Sequence, residues 1–231
     1  MKKIILILIV LFALPAHADM VLEDFTTYTE VDGPGRFSVD SATQITITNA
    51  DRDEDIYIVK DKGAAFFSAD YEHWFTMQFA ANALYQGTYW SITNTSGSSA
   101  AACEGAGDDC HRVLIHNGSN ALYLQEFNNA VGTEDSMINA STITLYNKVI
   151  RDESVGANGT MYLYVYSDAT RLILLDTLTV TLTENQDFQY LFAVAGSNDG
   201  GTGRDWDGVM SDLSLFEEGA AATKPRRVIV E

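Results

Sequence analysis

Residues Thr160–Tyr166 read TMYLYVY, an unbroken alternation of aliphatic and aromatic side chains. Successive side chains of an extended strand point to opposite faces. One face of this stretch is aliphatic and the other aromatic: Met161, Leu163 and Val165 against Tyr162, Tyr164 and Tyr166. This pattern is typical of an antiparallel strand with one face in a core. We therefore predict that the aliphatic residues are buried and that the tyrosines face either the solvent-side groove of the sheet or a covering loop.

The same period of two recurs along most of the chain. It is found in residues 44–48, 72–79, 172–182, 188–194 and 210–216. Clusters of Gly, Asn and Asp separate these runs, at residues 32–35, 117–120, 156–159 and 198–201. Such clusters favour tight turns, and no long amphipathic helix is evident. The sequence predicts an all-β fold, a two-sheet antiparallel β-sandwich (jelly roll), with a barrel as the alternative.

The N-terminal segment has the composition of a secretory signal. Lys2 and Lys3 precede an apolar run from Ile4 to Leu14, and small residues follow at Ala16 and Ala18. We predict a signal peptide over residues 1–18, a β-sandwich domain over 19–218 and a C-terminal tail over 219–231. A retained membrane anchor is the alternative. The expected location is secreted, either extracellular or periplasmic.

The formal charge of −18 excludes two classes of partner. An acidic surface repels phosphate backbones and anionic lipids. We therefore expect no nucleic-acid partner and no membrane insertion after the signal is cleaved.

Two cysteines, Cys103 and Cys110, lie in one short loop. In an exported protein they are expected to form a disulfide. Two free thiols or half of a metal site are the alternatives, although no second Cys or His pair has the spacing of a zinc site.

Four segments of the chain have a recognisable strand pattern. They are residues 21–25 (VLEDF), residues 71–79 (YEHWFTMQF), residues 145–168, which end in Tyr-Ser-Asp, and residues 206–216 (WDGVMSDLSLF). In this order they resemble the opening strand, an early core strand, a hairpin and the closing strand of the concanavalin A-like lectin/glucanase superfamily. The closing strand is similar to that of laminarinase-type and laminin-G-like domains. The resemblance covers nearly the whole mature chain and implies a jelly-roll sandwich.

A catalytic motif of this superfamily is missing. Its glycosidases use Glu-x-Asp-x-x-Glu, which places two carboxylates on one face of a strand, and this spacing does not occur in the sequence. The acidic run at residues 51–55 lacks the pattern. His73, His111 and His116 have no obvious catalytic partners. An enzyme is therefore the less favoured interpretation, and a divergent polysaccharide hydrolase or lyase is our third hypothesis.

The resemblance also implies one structural Ca²⁺ where the two ends of the domain meet. Relatives use an early acidic residue, a glycine carbonyl and an Asp in the last strand. The matching positions are Glu23 or Asp24, Gly35 and Asp212. Residues 199–208, with Asp199, Asp205 and Asp207, form a second possible oxygen cage.

The tyrosine stripe indicates a ligand-binding face. Trp74 and Tyr146 are predicted to join Tyr162, Tyr164 and Tyr166, and sugar rings stack on such side chains. Tyrosine is also simply a favourable strand residue. Trp90 and Trp206 are candidates for the rim.

The leading hypothesis is a secreted, non-catalytic module that binds a polysaccharide or other glycan. The second is a structural or adhesive surface protein that self-associates through sheet edges. The β-prone tail at residues 224–231 motivates this second hypothesis.

Overall fold

The period-two pattern folds into fifteen strands in the computed structural model. The structure describes residues 20–51, 54–81, 86–96, 109–116, 120–140, 143–197 and 205–216. The first strands are β1 (Met20–Leu22), β2 (Thr29–Val31), β3 (Phe37–Ser41), β4 (Gln44–Asp51), β5 (Tyr57–Asp61), β6 (Tyr71–Ala81), β7 (Gln86–Thr93) and β8 (Cys110–His116). They are followed by β9 (Ala121–Asn128), β10 (Val131–Met137), β11 (Thr144–Asp152), β12 (Thr160–Tyr166), β13 (Leu174–Thr181), β14 (Tyr190–Gly196) and β15 (Asp205–Phe216). One 3-10 turn, Phe25–Thr27, follows β1.

The strands form two antiparallel sheets. Sheet A has the order β13-β12-β11-β6-β15-β4-β3, and β1 pairs with the second half of β15. Sheet B has the order β10-β9-β8-β7-β14-β5-β2. The predicted all-β, two-sheet sandwich is therefore confirmed, and neither sheet closes into a barrel.

The core lies between the two sheets. Sheet A contributes the aliphatic face of β12 and the inward face of β6, and sheet B contributes residues of β7, β8 and β9. All of these side chains are fully buried: Met161, Leu163, Val165, Phe75, Met77, Phe79, Trp90, Ile92, Val113, Ile115, Leu122 and Leu124. The predicted inward and outward faces of β6 and β12 are confirmed.

A β-bulge interrupts the alternation in the last strand. The register of β15 against β6 shifts between Ser211 and Ser214, and Asp212 has φ +56°. The extra residue lets Met210 and Leu213 both enter the core, although they are three positions apart. Strict alternation over residues 210–216 was therefore wrong at this point.

Two predicted segments lie outside the described residues, namely the signal peptide at 1–18 and the tail at 219–231. Within the part of the chain that the structure describes, no helix has the length and apolar character needed to span a membrane.

Candidate functional site

The predicted aromatic residues share the outer face of sheet A. In the register of β12, β11 and β6, Tyr164 lies opposite Lys148, which lies opposite Trp74. In the next row Tyr166 lies opposite Tyr146. The Cβ atoms of directly opposed residues in antiparallel strands are about 4.5–5.5 Å apart. Adjacent side chains of the set are therefore close enough to contact one molecule. We call this set the aromatic face: Trp74, Tyr146, Tyr162, Tyr164 and Tyr166.

All five aromatic side chains are half-buried. The rings of Tyr162 and Tyr164 stack with their centroids 6.1 Å apart and their planes 25° apart. Burial raises the pKa of Tyr164, with a smaller contribution from Tyr162, and burial also raises the pKa of Tyr166. These phenols are therefore protonated at neutral pH and can donate hydrogen bonds.

Two cations lie on the aromatic face. The Lys148 ammonium lies 4.8 Å from the centroid of the Tyr164 ring. The Arg171 guanidinium lies 4.5 Å from the centroid of the Trp74 ring and 6.0 Å from that of Tyr146. A cation within about 6 Å of a ring centroid is attracted by the ring quadrupole. The Trp74 indole N–H donates to the Glu72 carboxylate at 2.6 Å, so the indole has a polar partner as well.

The loop after β12 positions Arg171. The Asp168 carboxylate accepts the backbone N–H groups of Leu172 and Ile173, at 3.1 and 2.6 Å, and the hydroxyl of Thr170. The backbone N–H of Arg171 donates to the backbone carbonyl of Asp168 at 3.0 Å. These bonds turn the chain back over the sheet. The sequence pattern did not indicate Arg171, because its contacts depend on this turn.

The outer face of sheet B is different, because its described central residues are buried. Arg112 on β8 is fully buried and donates from Nε to the Gln125 side chain at 2.7 Å. Gln125 in turn donates to Glu134 at 2.5 Å, and the Arg112 guanidinium lies 4.8 Å from the centroid of the Phe127 ring. The sequence pattern did not predict this polar row. A single Arg among the outward residues of an apolar strand was the available signal.

The prediction that Trp90 and Trp206 lie at the rim was wrong. Both are fully buried in the core. Trp90 follows a register shift in β7, and its indole N–H donates to Nδ1 of His73 at 2.9 Å. Burial lowers the pKa of His73 to about 3, with a further contribution from Lys62, and burial also holds the pKa of His111 well below its usual value. Both imidazoles are therefore neutral core groups.

The predicted calcium ligands have partners of their own. Glu23 is 3% exposed and accepts from Lys62 at 2.9 Å and from the Tyr28 hydroxyl at 2.8 Å; Lys60 lies 3.6 Å away. A carboxylate between two ammonium groups is a poor Ca²⁺ ligand. Asp24 caps the 3-10 turn by accepting the N–H of Thr26.

The remaining ligands leave the calcium prediction open. Asp212 occupies the bulge of β15 and accepts the hydroxyl of Ser211. Gly35 lies in a turn with φ +72°. Across the described ranges no three His, Cys, Asp or Glu side chains are grouped to hold a metal ion. In the second proposed cage, residues 198–204 are not described, and Asp207 accepts the N–H of Asn49.

Cys110 is buried on the outer face of sheet B, near Phe127. Among the described residues no cysteine is free. The proposed partner Cys103 lies outside the described residues, so the disulfide stays a prediction.

Comparisons with known proteins bear on the fold alone. Neither a family model nor a curated protein matches the sequence. A legume lectin-like domain from Entamoeba histolytica has a similar structure, with a TM-score of 0.55 and 13% identity over 83% of this chain and 90% of that domain. An alginate lyase in complex with alginate trisaccharide has a TM-score of 0.52 and 10% identity over 84% of this chain and 89% of the lyase.

One further structure has a similar fold. A protein of unknown function from Shewanella oneidensis MR-1 has a TM-score of 0.50 and 12% identity over 85% of this chain and 76% of that one. The chain spans only 44% of the length of a mutant of HCR D/C VPI 5995, which has a TM-score of 0.49. Identities this low show the fold alone. With its two open antiparallel sheets, the chain has the concanavalin A-like lectin/glucanase fold.

Proposed function

We propose that this protein is a secreted, non-catalytic carbohydrate-binding module that binds a polysaccharide or other glycan on its aromatic face. One observation carries the proposal: three adjacent strands place five half-buried aromatic side chains on one outer face of sheet A. Aromatic rings offer apolar faces to sugar C–H groups, and tyrosine hydroxyls can hydrogen-bond to sugar hydroxyls. The structural neighbours support the class of ligand, because they include a lectin-like domain and an alginate lyase.

The charge distribution agrees with a sugar ligand. The net charge of −18 disfavours nucleic acid and anionic membranes as partners. The signal-like residues 1–18 agree with a location where polysaccharides are met. Half-buried rings are also partly ordered before a ligand arrives, which lowers the entropic cost of binding.

Affinity electrophoresis through gels that contain single polysaccharides tests the proposal. We expect at least one polysaccharide to retard the wild-type protein. Tyr164→Ala and Trp74→Ala should each weaken binding by tenfold or more, since buried aromatic anchors dominate such interfaces. Tyr123→Ala is the matched control, because Tyr123 is a half-buried tyrosine on the other sheet. Equal retardation of all four proteins, or no retardation by any polysaccharide, would reject the aromatic face as the binding surface.

The non-catalytic part of the proposal has its own assay. Incubation with the retained polysaccharide should release neither new reducing ends nor unsaturated ends. Release of either would favour the third hypothesis, a divergent polysaccharide hydrolase or lyase.

Self-association is the second candidate, and the edge of sheet A favours it. Residues 172–175 are four consecutive exposed apolar side chains at the edge strand β13, and Leu172 is 82% exposed. Part of this edge is protected, because the Asp135 carboxylate accepts the N–H of Thr179 at 2.9 Å. Edge strands with apolar side chains are prone to pair with another chain.

Light scattering distinguishes this candidate. A self-associating wild type should become monomeric in the double variant Leu172→Ser, Leu174→Ser or after deletion of residues 220–231. A wild type that is monomeric at all concentrations removes the idea.

A further inference from the structure

The two cations of the aromatic face differ from most other described basic side chains. The acidic chain has 14 Lys and Arg against 32 Asp and Glu. Most described basic groups pair with a carboxylate: Arg36 with Glu54, Lys60 and Lys62 with Glu23, and Arg151 with Glu153. Within the part of the chain that the structure describes, Lys148 and Arg171 have no carboxylate within 4 Å and lie over aromatic rings instead.

Arg171 is held in place at a conformational cost. Its backbone has φ +53°, a left-handed conformation that is unfavourable for a side chain with a Cβ. Its Nε is buried and has no hydrogen-bond partner. The bonds that Asp168 makes to the loop maintain this arrangement. The fold therefore holds the Arg171 guanidinium over Trp74 without a carboxylate partner among the described residues.

The carboxylates near this guanidinium do not neutralise it directly. Burial lowers the pKa of Arg171, and the charges of Asp212 and Asp168 partly oppose that shift without forming an ion pair with Arg171 among the described residues. Glu72 is occupied by the indole N–H of Trp74. Lys148 lies opposite Trp74 in the register, and Arg171 lies over the Trp74 ring, so both cations belong to the same part of the aromatic face. An incoming anionic group would meet both.

We propose, on the basis of the glycan-binding function above, that the ligand is an acidic polysaccharide built from uronic acid residues. A uronate ring stacks on the aromatic face. Its carboxylate accepts hydrogen bonds from Arg171 and forms an ion pair with Lys148. Guanidinium donors match the two oxygens of a carboxylate, and charge-assisted bonds are roughly twice as strong as neutral ones.

The net charge of the chain opposes such a ligand only at long range. Repulsion between exposed charges is largely screened beyond about 8 Å at physiological ionic strength. A carboxylate in contact with Arg171 or Lys148 is much closer to these cations than this distance. Its attraction to them therefore outweighs the screened repulsion from the rest of the acidic surface. Binding should therefore be measured at physiological ionic strength, where the repulsion from the acidic surface acts only over a short range.

Alginate and polygalacturonate are suitable probes, each beside its carboxyl-reduced form, which keeps the sugar backbone and removes the charge. We expect the full-length protein to bind at least one of the two uronates, and to bind its reduced form at least tenfold more weakly. Arg171→Gln and Lys148→Gln should each weaken uronate binding several-fold. Arg36→Gln is the matched control, because it removes the same charge from an ion pair with Glu54. Melting curves of all variants show whether they remain folded.

The outcomes separate this inference from the proposed function. Equal binding of a uronate and its reduced form, unaffected by Arg171→Gln and Lys148→Gln, overturns the acidic ligand and leaves glycan binding in place. Binding to dextran sulfate but to neither uronate overturns the assignment of a carboxylate. No binding to any polysaccharide overturns both this inference and the proposed function.

Discussion

Glu23 is the most heavily engaged carboxylate of those predicted to bind calcium. It follows β1 and is 3% exposed. Its carboxylate forms ion pairs with Lys62 and Lys60 and accepts a hydrogen bond from the Tyr28 hydroxyl. Burial and the Glu23 charge raise the pKa of Tyr28 well above its usual value, so the phenol stays a donor. The residue ties the N-terminal segment of sheet A to β5 of sheet B. Its role in the described structure is to balance two cations.

Glu23→Gln should destabilise the protein by about 3 kcal/mol, because it removes a buried carboxylate that pairs with the poorly exposed Lys62 ammonium. Urea unfolding measures this change. The double variant Glu23→Gln, Lys62→Met should recover part of the loss, since it also removes a cation that this carboxylate balances. The exposed Glu30→Gln should change stability by no more than about 0.5 kcal/mol. A single variant as stable as the wild type contradicts the importance of this cluster.

His73 should make stability depend on pH. Burial lowers its pKa to about 3 in the folded protein, against about 6.5 in the unfolded chain. Between these values the unfolded chain binds the extra proton, so stability is complete above pH 6.5 and is lost as the pH falls towards 3. At pH 5 the loss from His73 alone is about 2 kcal/mol.

Urea unfolding between pH 8 and pH 5 tests this dependence. His73→Asn keeps an acceptor for the Trp90 indole and cannot be protonated in this range. Its stability should fall less steeply with acid than that of the wild type, and its value at pH 8 gives the cost of the lost packing. An unchanged slope contradicts a buried neutral His73.

At the level of elements, β15 shows how one strand can pair along both of its edges. It pairs with β6 along one side and with β4 and then β1 along the other. Gly208 of β15 lets the Tyr89 side chain and the Gln78 backbone lie close to this strand. A Cβ there would lie 1.9 Å from the Tyr89 hydroxyl and 2.6 Å from the Gln78 carbonyl, which are hydrogen-bonded to each other at 2.6 Å.

Gly208→Ala should therefore destabilise the protein by about 3 kcal/mol, since a backbone carbonyl cannot move away cheaply. Gly33→Ala is the control, because nothing lies within 4 Å of a Cβ at that position. It should be neutral or slightly stabilising, by up to about 1 kcal/mol. Equal unfolding midpoints for the two variants would show that β15 tolerates the side chain.

For the whole molecule, calcium remains a proposal that melting curves can decide. Because Glu23 is paired with lysines, the remaining ligands are Asp24, Asp212 and the Gly35 carbonyl. An ion bound only to the folded state stabilises it by about 2.7 kcal/mol at a free concentration 100-fold above its dissociation constant. The melting temperature should rise with added calcium, and Asp212→Asn should abolish the response. Metal-stripped protein that melts identically with calcium and with chelator has no such site.

The sequence alone determined which residues face the core and which face outward in the regular strands. Alternation in β6 and β12 is a property of each strand by itself, because neighbouring side chains of an extended chain must point to opposite faces. This sufficed for an all-β fold and for the outward orientation of Trp74, Tyr146 and the three tyrosines, each within its own strand. The pairing of β6, β11 and β12 that brings them onto one face was decided by the tertiary structure.

Contacts between distant segments were decided only by the tertiary structure. Arg171 reaches Trp74 across 97 positions of sequence because the Asp168 loop folds back over sheet A. Trp206 enters the core because β15 is central in its sheet. Strand order and loop direction set these contacts, and neither leaves a periodic signal in the local sequence. The assembled aromatic face and the cations on it therefore became visible only in the folded chain.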